Sequence, residues 1–196
     1  MPHEPKNRHK ACRILAAVVF AAITLSACTP NTTENPMSGS NPSDPATVKA
    51  QVTELKQALA DLHAFKTETQ QVIGPHKWAD EGLRNMACRT PDGQEGVNYS
   101  ILSLTADPVD LKASTDAVKT FWESKGFTTR VETNPQEPGL IRLYANQDGG
   151  HLISYFANIK GSSLEMNSAC VAGDQHAIYK ELDRQEASAS PTETGK

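Results

Sequence analysis

The chain has 196 residues, 38% of them hydrophobic and 21% charged, and its formal net charge at pH 7 is −4. Four of the 19 basic side chains and only one of the 23 acidic side chains lie within residues 1–27, so the remainder carries a net charge near −7. An acidic segment without a Lys/Arg cluster is repelled by phosphate backbones and by anionic lipid headgroups. The charge therefore argues against nucleic-acid binding and against attachment to a membrane through surface charge.

Residues 1–27 have the three parts of a secretory signal peptide. A basic segment ends at Arg13, an apolar run of 12 residues follows from Ile14 to Leu25, and small residues come next. As a helix the run would measure about 18 Å, which is short for a permanent span of the ~30 Å hydrocarbon core. Because the basic segment stays in the cytoplasm, the rest of the chain is predicted to be exported.

The four residues Leu25-Ser26-Ala27-Cys28 resemble a bacterial lipobox at every position. The resemblance implies cleavage before Cys28 and acylation of its thiol, with palmitate-type chains. Two or more acyl chains anchor a protein stably, because each buried CH₂ contributes about 0.8 kcal/mol. The alternative is an ordinary signal peptide in which Cys28 is incidental. We expect a lipid anchor at the outer face of the cell membrane.

Two cysteines remain after Cys12, in the basic segment, and Cys28 are assigned. Cys88 and Cys170 form an even pair in an oxidising compartment, which favours a disulfide that closes a loop of about 80 residues. The alternatives are a metal site or a redox pair, but neither cysteine lies in a Cys-x-x-Cys motif. The histidines after residue 28 are scattered along the chain, so no metal and no cofactor are predicted.

Composition divides the exported part into three segments. Residues 28–45 are rich in Pro, Asn, Ser and Thr, cannot bury enough surface to fold, and are predicted to form a disordered tether. Residues 46–185 are long enough for one domain. Residues 186–196 are predicted to be a disordered polar tail.

The domain is predicted to begin with a long helix over residues 46–73. Asp44 and Pro45 favour its start and Gly74-Pro75 its end. Its apolar stripe is typical either of a coiled-coil seam for self-association or of a helix that packs on its own domain, and the short heptad run favours the second. The stripe consists of Val48, Val52, Leu55, Leu59 and Leu62, extended by Phe65 and Val72.

The order of the remaining elements predicts an α+β fold, in which an antiparallel sheet carries helices on one face. Residues 78–96 have no regular pattern and are predicted to be irregular. A helix is predicted from Asp107-Pro108 to a cap at Gly126, and a short one over 174–185. Strands are predicted over 97–105, 127–132, 140–145, 151–159 and 164–170. Alternation in the last strand places Cys170 on the same inward face as Leu164 and Met166.

The pattern from Cys88 to Cys170 resembles the LppA-like lipoprotein family of mycobacteria and other actinobacteria. The matching features are the lipobox, a long first helix, Trp78 ahead of the first cysteine, a strand leading to an acid-capped helix, the turn at Gly149-Gly150, and the apolar hairpin segment 151–157. The resemblance covers about 120 residues. It implies the same fold, disulfide and compartment, and it carries no catalytic residues over to this chain.

No catalytic motif supplies a nucleophile with its base, so the predicted function is non-catalytic binding of an unknown envelope protein, glycan or small ligand. Alternation along the strands indicates exposed aromatic residues on the outer sheet face, and Tyr144 and Tyr155 are the predicted binding surface. The alternative is an envelope hydrolase whose site is assembled from distant residues, for example His151, Asp148 and Ser154.

Overall fold

The computed structural model describes residues 43–147 and 151–189, with backbone alone at His151. The predicted signal peptide, Cys28, nearly all of the tether, Asp148 and residues 190–196 lie outside the described residues. The elements are α1 (Pro45–Ile73), β1 (Ala79–Arg89), β2 (Glu95–Thr105), α2 (Leu111–Ser124), β3 (Thr128–Thr133), β4 (Leu140–Gln147), β5 (His151–Asn158), β6 (Gly161–Asn167), β7 (Val171–Ala172) and α3 (Gln175–Ala189).

Within the described part, the strands form one antiparallel sheet in the order β1-β2-β6-β5-β4-β3, and the short β7 also pairs with β2. Helix α2 packs on β3, β4 and β5, while α1 packs on β2, β6 and β7, and α3 on β2. The core lies between this helical layer and the sheet. The α+β fold with helices on one sheet face is therefore confirmed.

Helix α1 begins as its sequence predicts. The Asp44 side chain accepts hydrogen bonds from the backbone N–H groups of Ala46 and Thr47, so two of the free donors of the first turn are satisfied. Four residues of the stripe are buried, with Leu55 fully inaccessible, and the other three, Leu59, Phe65 and Val72, are half-buried against the same core. The stripe thus packs within the chain, and self-association stays a prediction that would need another face of α1.

Helix α2 begins at Leu111 and not at Asp107-Pro108 as expected. The Asp110 carboxylate accepts from the N–H of Ala113 at 2.8 Å and caps the helix there, while the Asp107 carboxylate accepts from the N–H of Lys77 at 2.7 Å. At the other end Gly126 has φ +89°, a left-handed conformation that glycine adopts without strain, as predicted for the cap.

The prediction that residues 78–96 are irregular is wrong, because β1 is an 11-residue strand paired with β2 as far as Arg89 opposite Glu95. Its side chains are nearly all exposed, so the segment has no apolar alternation to reveal a strand. Backbone pairing along one edge of β2 requires no such alternation.

The disulfide between Cys88 and Cys170 is present, with a Cα–Cα distance of 5.9 Å. Its expected inward direction is wrong. Strand β6 ends at Asn167, so Cys170 lies in the connection to β7, and Cys88 pairs with Gly96 on the sheet face opposite the buried Val97. Both cysteines are half-buried. The bond therefore fastens edge strand β1 to the β6–β7 connection on the outer face.

Helix α3 continues to Ala189, four residues beyond the predicted end of the domain, so the first part of the predicted disordered tail is helical. Its buried anchors are Ile178 and Leu182. The later turns are exposed and hold together through local bonds, including Arg184 to Glu181 and the Ser188 hydroxyl to the Arg184 carbonyl. Because these turns carry no apolar stripe, composition alone indicated disorder.

Candidate binding surface and apolar cavity

The two faces of the sheet differ in what covers them. Alternate side chains point into the core under the helices, and the others point outward. Among residues 43–147 and 151–189, no helix packs on the outward face. The fully or nearly fully buried inward side chains are Val97, Ile101, Leu143, Ala145, Ile153, Tyr155, Ala157, Leu164, Met166 and Val171.

Tyr155 belongs to the core and not to the predicted binding surface. It is 0% exposed and stands opposite Leu143 on β4 and Leu164 on β6. Its hydroxyl donates to Ser114 Oγ of α2 at 3.1 Å, so the polar end of the ring is satisfied where it is buried. The prediction for Tyr155 is therefore wrong, and the next residue of β5, Phe156, is the one that faces outward.

Tyr144 lies on the outer face as predicted, in contact with Phe156 of the neighbouring strand. The two rings meet edge to face with centroids 5.6 Å apart. The Arg130 guanidinium lies 5.1 Å from the Tyr144 centroid, and that of Arg142 lies 6.0 Å from the Phe156 centroid. We call these four residues the aromatic patch.

The arginines of the aromatic patch are neutralised by glutamates. Arg130 contacts Glu132, and Arg142 contacts Glu137 at 2.8 Å. The hydrogen bond from Arg142, together with its positive charge, holds the pKa of the Glu137 carboxyl below its ordinary value. The patch therefore offers apolar ring surface and guanidinium planes without a net charge.

Two shallow depressions flank the aromatic patch. One of about 270 Å³ lies beside Tyr144 and includes Leu152, whose side chain is 56% exposed. The other, of about 490 Å³, lies beside Phe156 and includes Leu104 and Leu140. Apolar side chains thus continue across the outer face on both sides of the patch.

An apolar cavity of about 340 Å³ lies on the opposite side of the sheet, between α1 and the start of β3. The rings of Phe65 and Phe127 stack in its wall with centroids 5.3 Å apart, and Leu62 also lines it. Glu54 and Asp61 of α1 lie at its polar side. Sequence reasoning missed this cavity, because Phe65 and Phe127 come together only through the packing of α1 beside the end of α2.

Of the three residues named for the hydrolase alternative, the structure describes the side chain of Ser154 alone. Ser154 stands opposite Tyr144 on the outer face and is 8% exposed. Asp148 and the His151 side chain lie outside the described residues. Within 43–147 and 151–189, no three His, Cys, Asp or Glu residues are grouped as metal ligands would be, and no helix there is both long and apolar enough to cross a membrane.

No family model matches the chain, and no curated protein matches it. Among solved structures, the chain has partial similarity to a DUF4853 family protein from Actinomyces odontolyticus ATCC 17982, at 13% sequence identity and a TM-score of 0.40. The match covers 65% of this chain and 68% of that one. Similarity at this level assigns neither a family nor an activity, and the resemblance to LppA-like lipoproteins stays a prediction.

Proposed function

We propose that the protein is a lipid-anchored cell-envelope module that binds another envelope protein, without catalysis, through the aromatic patch on its outer sheet face. The observation that carries the proposal is the absence of a helical cover over two contacting aromatic rings within the described chain. The predicted signal peptide, the lipobox-like motif at Cys28 and the Cys88–Cys170 disulfide support the compartment, since disulfides persist where proteins are exported.

The chemistry of the aromatic patch favours a protein over a glycan as the partner. Aromatic residues and arginine are enriched at the energetic centres of protein interfaces. Tyr144 and Phe156 meet edge to face, so they do not form the flat ring platform on which a sugar stacks. Each arginine is already paired with a glutamate, so the patch has no free positive charge for an anionic glycan.

Site-specific photo-cross-linking tests this contact surface on the full-length protein in intact cells. A photoreactive residue at Leu152, beside the patch, should give a discrete protein adduct. Leu83 is the matched control, because it is also a leucine and is 46% exposed against 56% for Leu152, but it lies on β1 at the other end of the sheet. Equal labelling at both positions would contradict the assignment of the surface.

A second arm removes the patch itself. Replacing Tyr144 and Phe156 by Ser should abolish the Leu152 adduct while the circular dichroism spectrum stays unchanged. An unchanged adduct would show that the rings do not contribute to the contact.

Cys28→Ser in the same cells should leave an uncleaved precursor or release the chain from membranes. Normal processing of that variant would refute lipid attachment at Cys28 and would not bear on the role of the aromatic patch.

A further inference from the structure

The apolar cavity between α1 and the start of β3 is lined in part by side chains too small to fill it. On α1, Ala58 takes the stripe position between the buried residues Leu55 and Leu62. Ala169, from the connection between β6 and β7, is a second alanine in the wall. The volume of about 340 Å³ lies within the ~300–1,000 Å³ that is usual for small-molecule sites. We call this space the Phe65 cavity.

The walls of the Phe65 cavity favour a ligand with an apolar body. The stacked rings of Phe65 and Phe127 are each half-buried, so part of their surface remains in contact with water. A ligand that covers this surface removes it from water, which is favourable. The apolar lining residues are Ala58, Leu62, Phe65, Phe127, Ala169 and Val171.

The charges around the Phe65 cavity favour a cation over an anion. Three ionisable side chains line it, namely Glu54, Asp61 and Lys125. The Lys125 Nζ lies 2.7 Å from the Glu68 carboxylate, so its charge is already compensated. Within the described residues, neither Glu54 nor Asp61 lies in an ion pair. Helix α1 also has no Lys or Arg three or four positions from either of them.

Asp61 is the carboxylate nearer to the rings along α1. It lies four residues before Phe65 and therefore on the same side of the helix, whereas Glu54 lies about two turns earlier. Gln57 Nε2 donates to Asp61 Oδ1 at 2.9 Å. Among the described residues no donor contacts the other oxygen, Oδ2, which is available to a charged donor of the ligand. A ligand whose cationic end binds Asp61 can reach the Phe65 ring with its adjoining atoms.

We infer that the Phe65 cavity binds a small organic ammonium ion, with the charged end at Asp61 and the apolar body against the Phe65 and Phe127 rings. Glu54 adds attraction at longer range. An anion would meet two uncompensated carboxylates, and a neutral molecule would gain nothing from them. The inference is independent of the protein partner proposed for the aromatic patch.

Titration of the full-length protein in detergent micelles with 4-phenylbutylamine, which is protonated at pH 7, tests the inference. Alanine labelled with ¹³C in its methyl group places a reporter in the cavity wall. The Ala169 methyl resonance, identified by its loss in Ala169→Gly, should shift and saturate. The anion 4-phenylbutanoate has the same apolar body and should cause no saturable shift. No saturable shift with the amine, or equal affinity for both compounds, would overturn the inference.

Asp61→Asn tests the role of the carboxylate. This variant should weaken 4-phenylbutylamine binding by about three- to fivefold, as expected for a charge pair near the surface. Asp183→Asn makes the same charge change at an exposed position of α3 and should bind like the parent. The neutral 4-phenylbutan-1-ol should bind Asp61→Asn and the parent equally. Unchanged amine affinity in Asp61→Asn, or an equal loss for amine and alcohol, would refute the role of the charge.

Ala58→Leu tests the location of the site, because the larger side chain occupies the cavity. It should abolish saturable shifts of the Ala169 resonance by the amine. Ala64→Leu makes the same exchange at an exposed position of α1 and should bind like the parent. Parental affinity in a folded Ala58→Leu protein, as shown by circular dichroism, would place the ligand elsewhere and overturn the inference. If overpacking prevents that variant from folding, the Asp61→Asn comparison still decides, since it leaves the core unchanged.

Discussion

Tyr144 and Tyr155 lie on neighbouring strands of one sheet and belong to different environments. Tyr155 is fully buried under α2 and donates to Ser114, whereas Tyr144 is half-buried on the outer face and contacts Phe156 and Arg130. The two residues have the same chemistry, so the difference comes from strand register and from what the helical layer offers the phenol. Tyr155 lies on the sheet face that the helices cover, whereas Tyr144 lies on the face that no helix of the described residues covers.

Tyr155→Ala should give the largest loss of stability, because it removes a fully buried ring and leaves a cavity between α2 and the sheet. We expect the free energy of unfolding to fall by about 3–5 kcal/mol in urea titrations followed by circular dichroism. Tyr155→Phe is the control, since it removes the hydroxyl alone and should cost about 1 kcal/mol. A loss below about 1 kcal/mol for the alanine variant would contradict the assignment of Tyr155 to the core.

Removing the Cys88–Cys170 disulfide should give the second largest loss of stability, and it measures how much a covalent bond on the outer face contributes to the free energy of unfolding. The bond joins residues 82 positions apart, and removing it by Cys88→Ser with Cys170→Ser should cost about 2–4 kcal/mol in the chain-entropy description. Urea midpoints of the parent protein with and without reducing agent give an independent measurement. Equal midpoints would show that the bond does not stabilise the fold.

An ion pair at the inward face provides a smaller, pH-dependent effect. Asp80 of β1 accepts from Lys66 of α1 and from the buried Ser103 hydroxyl. Burial by itself raises the pKa of the Asp80 carboxyl, but these two hydrogen bonds and the Lys66 charge outweigh it and hold the pKa below 3.8. A lowered folded pKa contributes stability that is present above about pH 4 and is lost as pH falls through the folded value.

We therefore expect the parent protein to lose more stability than Asp80→Asn between pH 5 and pH 3, in urea titrations at each pH. The carboxylate is 45% exposed, so solvent screening keeps the effect small. Glu123→Gln removes an exposed i,i+4 pair with Lys119 and serves as the comparison for a surface ion pair. Parallel pH profiles for the parent and Asp80→Asn would refute the contribution of Asp80.

Most of the element order could be predicted from the sequence because the signals were local. Asp44 and Gly74 limit α1, and Gly126 ends α2, all through contacts within a few residues. Strand β1 could not be predicted, since an exposed edge strand needs only backbone pairing and carries no apolar alternation. The last turns of α3 were missed for a related reason, because they are exposed.

The candidate sites were less predictable, because they depend on residues that packing brings together. Side chains alternate along β5, but the sequence does not show which side of the strand the helices cover, and only the packing of α2 on β5 shows that Tyr155 is the buried residue. The apolar cavity beside Phe65 and Phe127 has no local sequence signal, because the two rings come together only in the packed fold. The disulfide could be predicted from the even number of cysteines, but the sheet face on which it lies could not.

Tyr144→Ala should give the smallest effect on stability, about 0.5–1 kcal/mol, because the ring is already half in water and its loss opens no internal cavity. What it loses is the edge-to-face contact with Phe156 and the Arg130 contact, and solvent exposure keeps each at or below about 0.5 kcal/mol, the weak end of the usual range. A double-mutant cycle with Phe156→Ala measures the ring contact directly, and coupling near zero would mean that the rings do not interact in solution. If Tyr144→Ala instead cost as much as Tyr155→Ala, the outer face would be packed against part of the chain outside the described residues. The aromatic patch would then be core, and the Leu152 cross-link should disappear with it.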